Sequence, residues 1–284
     1  MKLAVIADIH GNLLALEAVL ADLDRQGVDS VVVNGDLVNR CPDSVAVLAR
    51  LAPLGLPWTI GNHDDLVCKW ADRSNELPSD WFDDPFWLGT AWSSARLVDD
   101  GVLTMLRNLP MTHRVAVPGA PTLLISHGSP RHYREGYDKY LPDDAIAEII
   151  QHHPADILIG SHTHRPYLRR WGPYLVLNTG AVGTPFNRDQ RAQYLLLTLR
   201  GNVWQPEFRA VPYDVAAALK RFESSGYLEE GGLSALIFYH ELRLARPLYA
   251  PFWMWTEQEG VARTDEAWRL FEAQHPERFA PPQQ

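Results

Sequence analysis

Two histidines stand two positions apart, His162 and His164 of "IGSHTHRP" (159–166), directly behind an apolar run. On a helix their side chains would point about 200° apart and could not meet one ligand; at a strand end they face the same side. Four other apolar runs close on the same kinds of residue: Asp8-Ile9-His10, Gly35-Asp36, Gly61-Asn62-His63-Asp64 and His127-Gly128. Imidazole and carboxylate donors without thiolate suit Mn²⁺, Fe, Zn²⁺, Co²⁺ or Ni²⁺. Asp8, His10, Asp36, Asn62, His63, His127, His162 and His164 are too many for one ion but suffice for two that share a carboxylate. Two such ions can clamp the attacking and leaving oxygens of an in-line displacement and lower the pKa of a bridging water. That chemistry is phosphoester hydrolysis.

These residues need a scaffold that brings distant run ends together. "KLAVIAD" reads as a buried strand, and Asn12 caps a helix with Leu13, Leu16, Leu20 and Leu23 on its apolar face, ended by Gly27. "SVVVNGD" is the next strand, Pro42-Asp43-Ser44 opens a helix to Leu51, and "PWTIGNHDD" is a strand running into a polar turn. Further strands are expected at "TLLISHG", "ADILIGSH", "YLVLNTG" and "AQYLLLTL", with a helix over 143–152. The alternation predicts an α/β fold, in which ligands collect at the carboxyl ends of strands.

Two stretches lie outside this pattern. Residues 65–110 hold Trp70, Trp81, Trp87 and Trp92 and read as a helical, cap-like insertion, with helices near 87–97 and 101–108 and a loop at 72–85. Packing is the default use of these rings, and stacking a nucleobase above the metals is the sharper one. From 213 to 284 a helix capped by Asp214 runs to Phe222, Gly231-Gly232 breaks the chain, and two more helical segments lead to a Pro-rich end. This aromatic-rich extension, with Phe238, Tyr239, Tyr249, Phe252, Trp253 and Trp255, is expected to pack on the core, a lid or a homo-oligomer contact being the sharper reading.

The order DxH, GD, GNHD, H, HxH resembles the calcineurin-like metallophosphoesterase superfamily, and "IADIHGNLLALEAVL", "ISHGSP" and "HTHRP" resemble its small bacterial and archaeal phosphodiesterase branch. The resemblance implies a two-sheet sandwich flanked by helices over a catalytic domain of residues 1–212. It also implies two divalent ions, with Mn²⁺ expected first and Fe, Zn²⁺, Ni²⁺ or Co²⁺ as alternatives. Asp8, His10 and His164 would hold the first ion, Asp36 would bridge, and Asn62, His127 and His162 would complete the second site. A metal-bridging hydroxide would attack phosphorus and His63 would act as general acid. "GDLVNRC" differs from the "GDxVDRG" element of the serine/threonine phosphatase branch: Asn39 stands where that branch has an acidic residue behind the catalytic histidine, which lowers the odds of a protein phosphatase. Arg40 keeps its place and could hold a phosphate oxygen; a surface arginine is the alternative.

The expected substrate is a small nucleotide-like diester such as a cyclic nucleotide, with a phosphomonoester or dinucleoside polyphosphate as alternatives. A non-catalytic metal-binding scaffold is disfavoured because no motif residue is missing. An amidohydrolase is disfavoured because its HxH comes early. Arg131, His132 and Tyr133 are candidates to line the pocket; Asn178, Gly180 and Asn187 read as turn residues; His113, His152, His153, His240 and His275 read as structural or exposed. A net charge of −9 over 284 residues argues against long nucleic acid, while two ions balanced by Asp8, Asp36 and hydroxide would leave the pocket near +1. With 46% apolar and 21% charged residues the chain reads as soluble and globular. No apolar run is long enough for a membrane span, and the amino-terminal segment does not read as a signal peptide. Cys41 and Cys68 lack CxxC spacing and read as buried free thiols, so a cytoplasmic location is expected.

Overall fold

The structure, a computed structural model, describes residues 1–99 and 102–281. Two mixed five-stranded sheets lie face to face. The first contains β1 (Lys2–Ile6), β2 (Ser30–Asn34), β3 (Trp58–Thr59), β9 (Ala192–Arg200) and β10 (Val203–Val211) in the order β10-β9-β1-β2-β3. The second contains β4 (Thr112–Val115), β5 (Leu123–Ser126), β6 (Ile157–Gly160), β7 (Pro166–Trp171) and β8 (Tyr174–Thr179) in the order β4-β5-β6-β8-β7. β1, β2 and β3 run parallel, as do β5, β6 and β8. Their carboxyl ends therefore come together at one edge of each sheet.

Strand alternation divides the core. Leu3 and Val5 of β1 meet Ile125, Ile159 and Leu177 of the opposite sheet, while Ala4 and Ile6 face the helices α1 (Leu13–Gln26) and α2 (Ser44–Leu51). Each such aliphatic side chain is fully buried and contributes about 1.5–3 kcal/mol of hydrophobic stabilisation. On the far side, Ile146 and Ile149 of α6 (Asp143–His152) cover Leu124, Leu158 and Val176. The layers are helix, sheet, sheet, helix: the expected two-sheet sandwich. Asn12 caps α1 by accepting from the Ala15 amide at 3.1 Å, and Gly27 ends it at φ +61°.

Several elements differ from the sequence expectation. β3 has only two residues, and Asn62-His63-Asp64 is the first turn of a helix, α3 (Asn62–Ala71), rather than a polar turn. The half-buried strands β4 and β7 and the hairpin strand β10 were not expected, because their alternating polar residues resemble loop composition. The 72–85 loop holds single 3₁₀ turns at Ser79–Phe82 and Pro85–Trp87, followed by α4 (Leu88–Asp99) and α5 (Leu103–Arg107). Part of the helix expected at 101–108, and the last Pro-rich residues, lie outside the described residues.

Among the described residues six helices follow β10, not three: α7 (Val215–Ser224), α8 (Tyr227–Glu230), α9 (Gly232–Leu244), α10 (Tyr249–Glu259), α11 (Asp265–Gln274) and α12 (Pro276–Phe279). Gly260 ends α10 at φ +66° and Thr264 caps α11, signals that an aromatic-rich stretch obscures. Phe86 joins Ile237, Phe252, Trp268 and Phe271, and Cys41 and Trp92 join Phe222, Tyr227 and Phe238. The extension therefore packs on the insertion and on the first sheet's loops of its own chain. Both cysteines are buried and free, as expected.

Candidate metal centre

Asp8 and His10 follow β1, Asp36 follows β2, His127 follows β5, and His162 and His164 follow β6. None of them lies within a strand. Ten non-glycine residues adopt left-handed backbone among the described residues, and seven of these are Asp8, His10, Asp36, Asn39, Arg40, His162 and His164. His162 and His164, at φ +57° each, thus converge through left-handed turns beyond the strand rather than through strand alternation. Such conformations cost energy and persist where surrounding contacts enforce them. At Asp36 the contacts come from Asp64, whose buried carboxylate accepts from the amides of Asp36 (2.8 Å), Leu37 (2.9 Å) and Gly61 (2.9 Å). It shapes the backbone beneath Asp36 and does not touch the imidazole of His63. Gly61 lies so close that a Cβ there would sit 2.1 Å from Asp36 Oδ1.

Two donor groups share Asp36. One is Asp8, His10, Asp36 and His164; the other is Asp36, His127 and His162. Backbone carbonyls set the tautomers. Nδ1 of His10 faces Val38 O (3.3 Å), that of His164 faces Thr184 O (2.6 Å) and that of His127 faces Asn34 O (2.9 Å). A carbonyl only accepts, so Nδ1 carries the proton and each Nε2 of a neutral ring presents a lone pair. The Nε2 atoms of His10 and His164 lie 3.2 Å apart, and His127 Nε2 lies 3.2 Å from Asn62 Oδ1 and 3.3 Å from Asp36 Oδ2. Lone pairs facing lone pairs at such distances repel unless a cation lies between them. Both oxygens of Asp8, Oδ2 of Asp36 and Nδ1 of His162 are buried without a hydrogen-bond partner among the described residues. This donor set fits divalent cations.

The electrostatics agree. Burial holds His10 and His164 well below the usual imidazole range and lowers His162 to about 3, so all three stay neutral. Burial also raises Asp8. His127 is the exception: against its burial, Asp36 and Asp8 push it up to about 10. A proton on His127 and a cation beside Asp36 are alternative ways to compensate the same buried carboxylates.

His63 sits apart from the donor groups, its amide donating to Asp36 Oδ1 at 2.7 Å. Its Nδ1 faces the Asn39 side-chain amide nitrogen at 3.1 Å. Asn39 Oδ1 accepts from the Arg40 amide at 2.8 Å, and its nitrogen also reaches Thr90 Oγ1 at 3.3 Å, so the amide orientation is set. Asn39 thus places a donor at Nδ1, and Arg40 Nε places a second donor at Nε2. An acidic residue in place of Asn39 would instead accept from Nδ1. Arg40 is not a surface arginine. Its guanidinium is 11% exposed, lies 3.3 Å from His63 Nε2 through Nε, and pairs through Nη1 with the buried Glu241 of α9.

Asp36, Arg40, Asn62, His63, His162 and His164 line the floor of a cavity of about 750 Å³. Of the residues expected to line it, Tyr133 does, its hydroxyl donating to Asp65 at 2.7 Å. Arg131 instead pairs with Glu135 and Glu148, and His132 is exposed. Asn178 is not a turn residue but a buried side chain at the end of β8, donating to Ser161 O and, at 3.0 Å, to Thr163 Oγ1. Neither Gly180 nor Asn187 lines the cavity. Trp81 and Trp87 do, whereas Trp70 packs on Phe82 and Trp92 on Tyr227. Sequence reasoning missed Asn34, which links the sheets through Ser126 O and Ser161 Oγ at 2.9 Å each and backs His127. Its signal was an amide ending an apolar strand, "SVVVN". Glu241 was also missed, and nothing local marks it; Trp253, read only as one of the tail's aromatics, lines the cavity.

A two-sheet sandwich with Asp and His converging at its strand ends defines a metallophosphoesterase fold. Residues 1–166 match the family described as calcineurin-like phosphoesterase, more than half of the chain, and the protein belongs to that family. The family and the buried Asp/His cluster together point to divalent metal binding and to phosphoester hydrolysis. An uncharacterized protein of Methanocaldococcus jannaschii is 25% identical over 77% of this chain and 90% of its own length. A symmetrical bis(5'-nucleosyl)-tetraphosphatase of Pectobacterium atrosepticum is 36% identical over 30% of this chain and 31% of its own. Among solved structures, a metallophosphoesterase from Sphaerobacter thermophilus aligns with a TM-score of 0.63 at 24% identity, over 86% of this chain and all of that one (100%). A hypothetical protein from Pyrococcus horikoshii aligns at 0.67 and 22%, over 84% of this chain and 98% of that one, and shares the fold. No helix among the described residues is long and apolar enough to cross a membrane.

Proposed function

We propose that the protein is a two-metal phosphodiesterase acting on a small nucleotide-like diester such as a cyclic nucleotide. The observation that carries this reading is the pair of donor groups sharing Asp36 beneath His63 and Arg40. Asp8, His10, Asp36 and His164 would hold one ion, and Asp36, Asn62, His127 and His162 the other; Mn²⁺ is the proposed metal. Two divalent ions held there polarise phosphoryl oxygens and make water a nucleophile at neutral pH. The chain's own residues do the rest. His63 acts as the general acid that donates to the departing oxygen. Arg40, anchored by Glu241, offers its remaining guanidinium nitrogen to a nonbridging oxygen. The Asn39 arrangement also disfavours a protein phosphatase.

The test is hydrolysis of bis(p-nitrophenyl) phosphate by protein with a measured metal content. His63→Ala is expected to keep its metal and lose roughly 10²–10⁴-fold in kcat. Unchanged turnover would remove His63 from the reaction. A second reading, a dinucleoside polyphosphate hydrolase, is favoured by the rim: Arg134 and Arg165 line it with no carboxylate partner among the described residues, cations suited to further phosphates. The tetraphosphatase relative is consistent with it. Higher kcat/KM on diadenosine tetraphosphate than on any cyclic nucleotide would decide for that reading.

A further inference from the structure

The cavity has a second half that the hydrolytic chemistry does not use. Opposite the Asp/His floor, its wall is formed by Trp81 and Trp87 from the insertion and by Tyr249 and Trp253 from the extension. Trp81 stacks on Trp87 at 4.0 Å between centroids, and Trp253 stands edge-on to Trp81 at 5.4 Å and 74°. Together they make a corner of ring faces and edges, the offset and perpendicular geometry in which a further ring is favoured. Trp81 and Trp253 remain partly exposed, and the adjoining Met254 is 59% exposed although it too lines the cavity. By contrast Trp58, Trp92, Trp204 and Trp268, in the cores, are at most 8% exposed. The volume, about 750 Å³, is within the usual range of small-molecule sites.

The wall is tied to the floor. Glu241 accepts from the amides of Leu248 (2.7 Å) and Tyr249 (2.9 Å) with one oxygen and holds Arg40 with the other. The carboxylate that sets the phosphate-facing arginine therefore also sets the start of α10, which carries Tyr249 and Trp253. Arg40 is further sandwiched near Phe238 (5.1 Å) and Phe186 (5.6 Å).

We infer that this wall is a subsite for a planar ring on the substrate, a nucleobase in particular, gripped by Trp81 and Trp253 while the phosphate lies at Arg40. The inference rests on the phosphodiesterase reading for its substrate but not for its geometry. Three diesters with one leaving group test it: the p-nitrophenyl phosphates of thymidine (5'-linked), of methanol and of n-hexanol. The metal-loaded full chain is expected to prefer the thymidine ester over the methyl ester by roughly ten-fold or more in kcat/KM, the scale of one base stacked on an aromatic ring. Trp253→Leu and Trp81→Leu keep apolar bulk, and each is expected to erase most of that preference while melting near the parent temperature. A preference unchanged in both variants, or a hexyl ester favoured over thymidine, would overturn the subsite. If none of the three esters is cleaved, the phosphodiesterase reading fails, and calorimetric titration with thymidine monophosphate against methyl phosphate still decides the subsite: tighter thymidine monophosphate binding that Trp253→Leu abolishes supports it, and equal affinities reject it.

Discussion

On the floor of the cavity, side chains are aimed by main chain: left-handed turns after β1, β2 and β6 point the Asp and His residues inward, and carbonyls hold the rings. In the wall, ring packs on ring, and segments more than 150 positions apart supply the rings. Carbonyl-to-imidazole bonds leave one tautomer and little freedom of angle, which metal binding needs. Aromatic contacts tolerate offsets of an ångström and adapt to an organic group. The floor is thus built for one chemistry and the wall for selectivity.

Substitutions that separate the two halves test this contrast. Asp36→Ala removes the shared carboxylate and the acceptor for the His63 amide. Metal analysis should show both ions lost, and kcat on bis(p-nitrophenyl) phosphate should fall roughly a thousand-fold or more; retention of one equivalent would show that the two donor groups bind independently. Glu241→Gln is the link between the halves. It leaves metal content at the parent level and lowers kcat/KM about ten-fold through a loosened Arg40, with a rise in KM as the signature of weakened phosphate binding. An effect on melting temperature without one on KM would confine Glu241 to folding. Gly61→Ala forces a methyl group against the Asp36 carboxylate. It is expected to cost about 1–3 kcal/mol in denaturant unfolding and to weaken metal affinity. Trp253→Leu, on the wall, should leave metal content untouched and change substrate choice alone.

Legibility followed the same division. Asp8, His10, Asp36, Asn62, His127, His162 and His164 were candidates from sequence because each closes an apolar run, a pattern that needs only neighbouring residues. The structure brings all seven together at one end of the sandwich. The helix caps Asn12, Asp214 and Gly27 were legible for the same reason. The "GNHDD" segment misled because its Asn and two Asp residues resemble turn composition; the same residue types suit the amide groups of a helix's first turn. Arg40 left two readings open, since its environment comes from Glu241, 201 positions away.

Residue order by itself determined the α/β alternation, the donor set and its soft limits on the metal, and the family to which the chain belongs. Tertiary structure alone decided which nitrogen of His10, His127 and His164 is free, that Asn39 donates to His63, that Glu241 and not solvent meets Arg40, and that Trp253 rather than Trp70 or Trp92 faces the cavity. The reason is range. Periodicity, caps and strand-end motifs act over a few positions and are written in the sequence, whereas tautomers, buried ion pairs and cavity walls depend on partners that only the folded chain brings within a few ångströms.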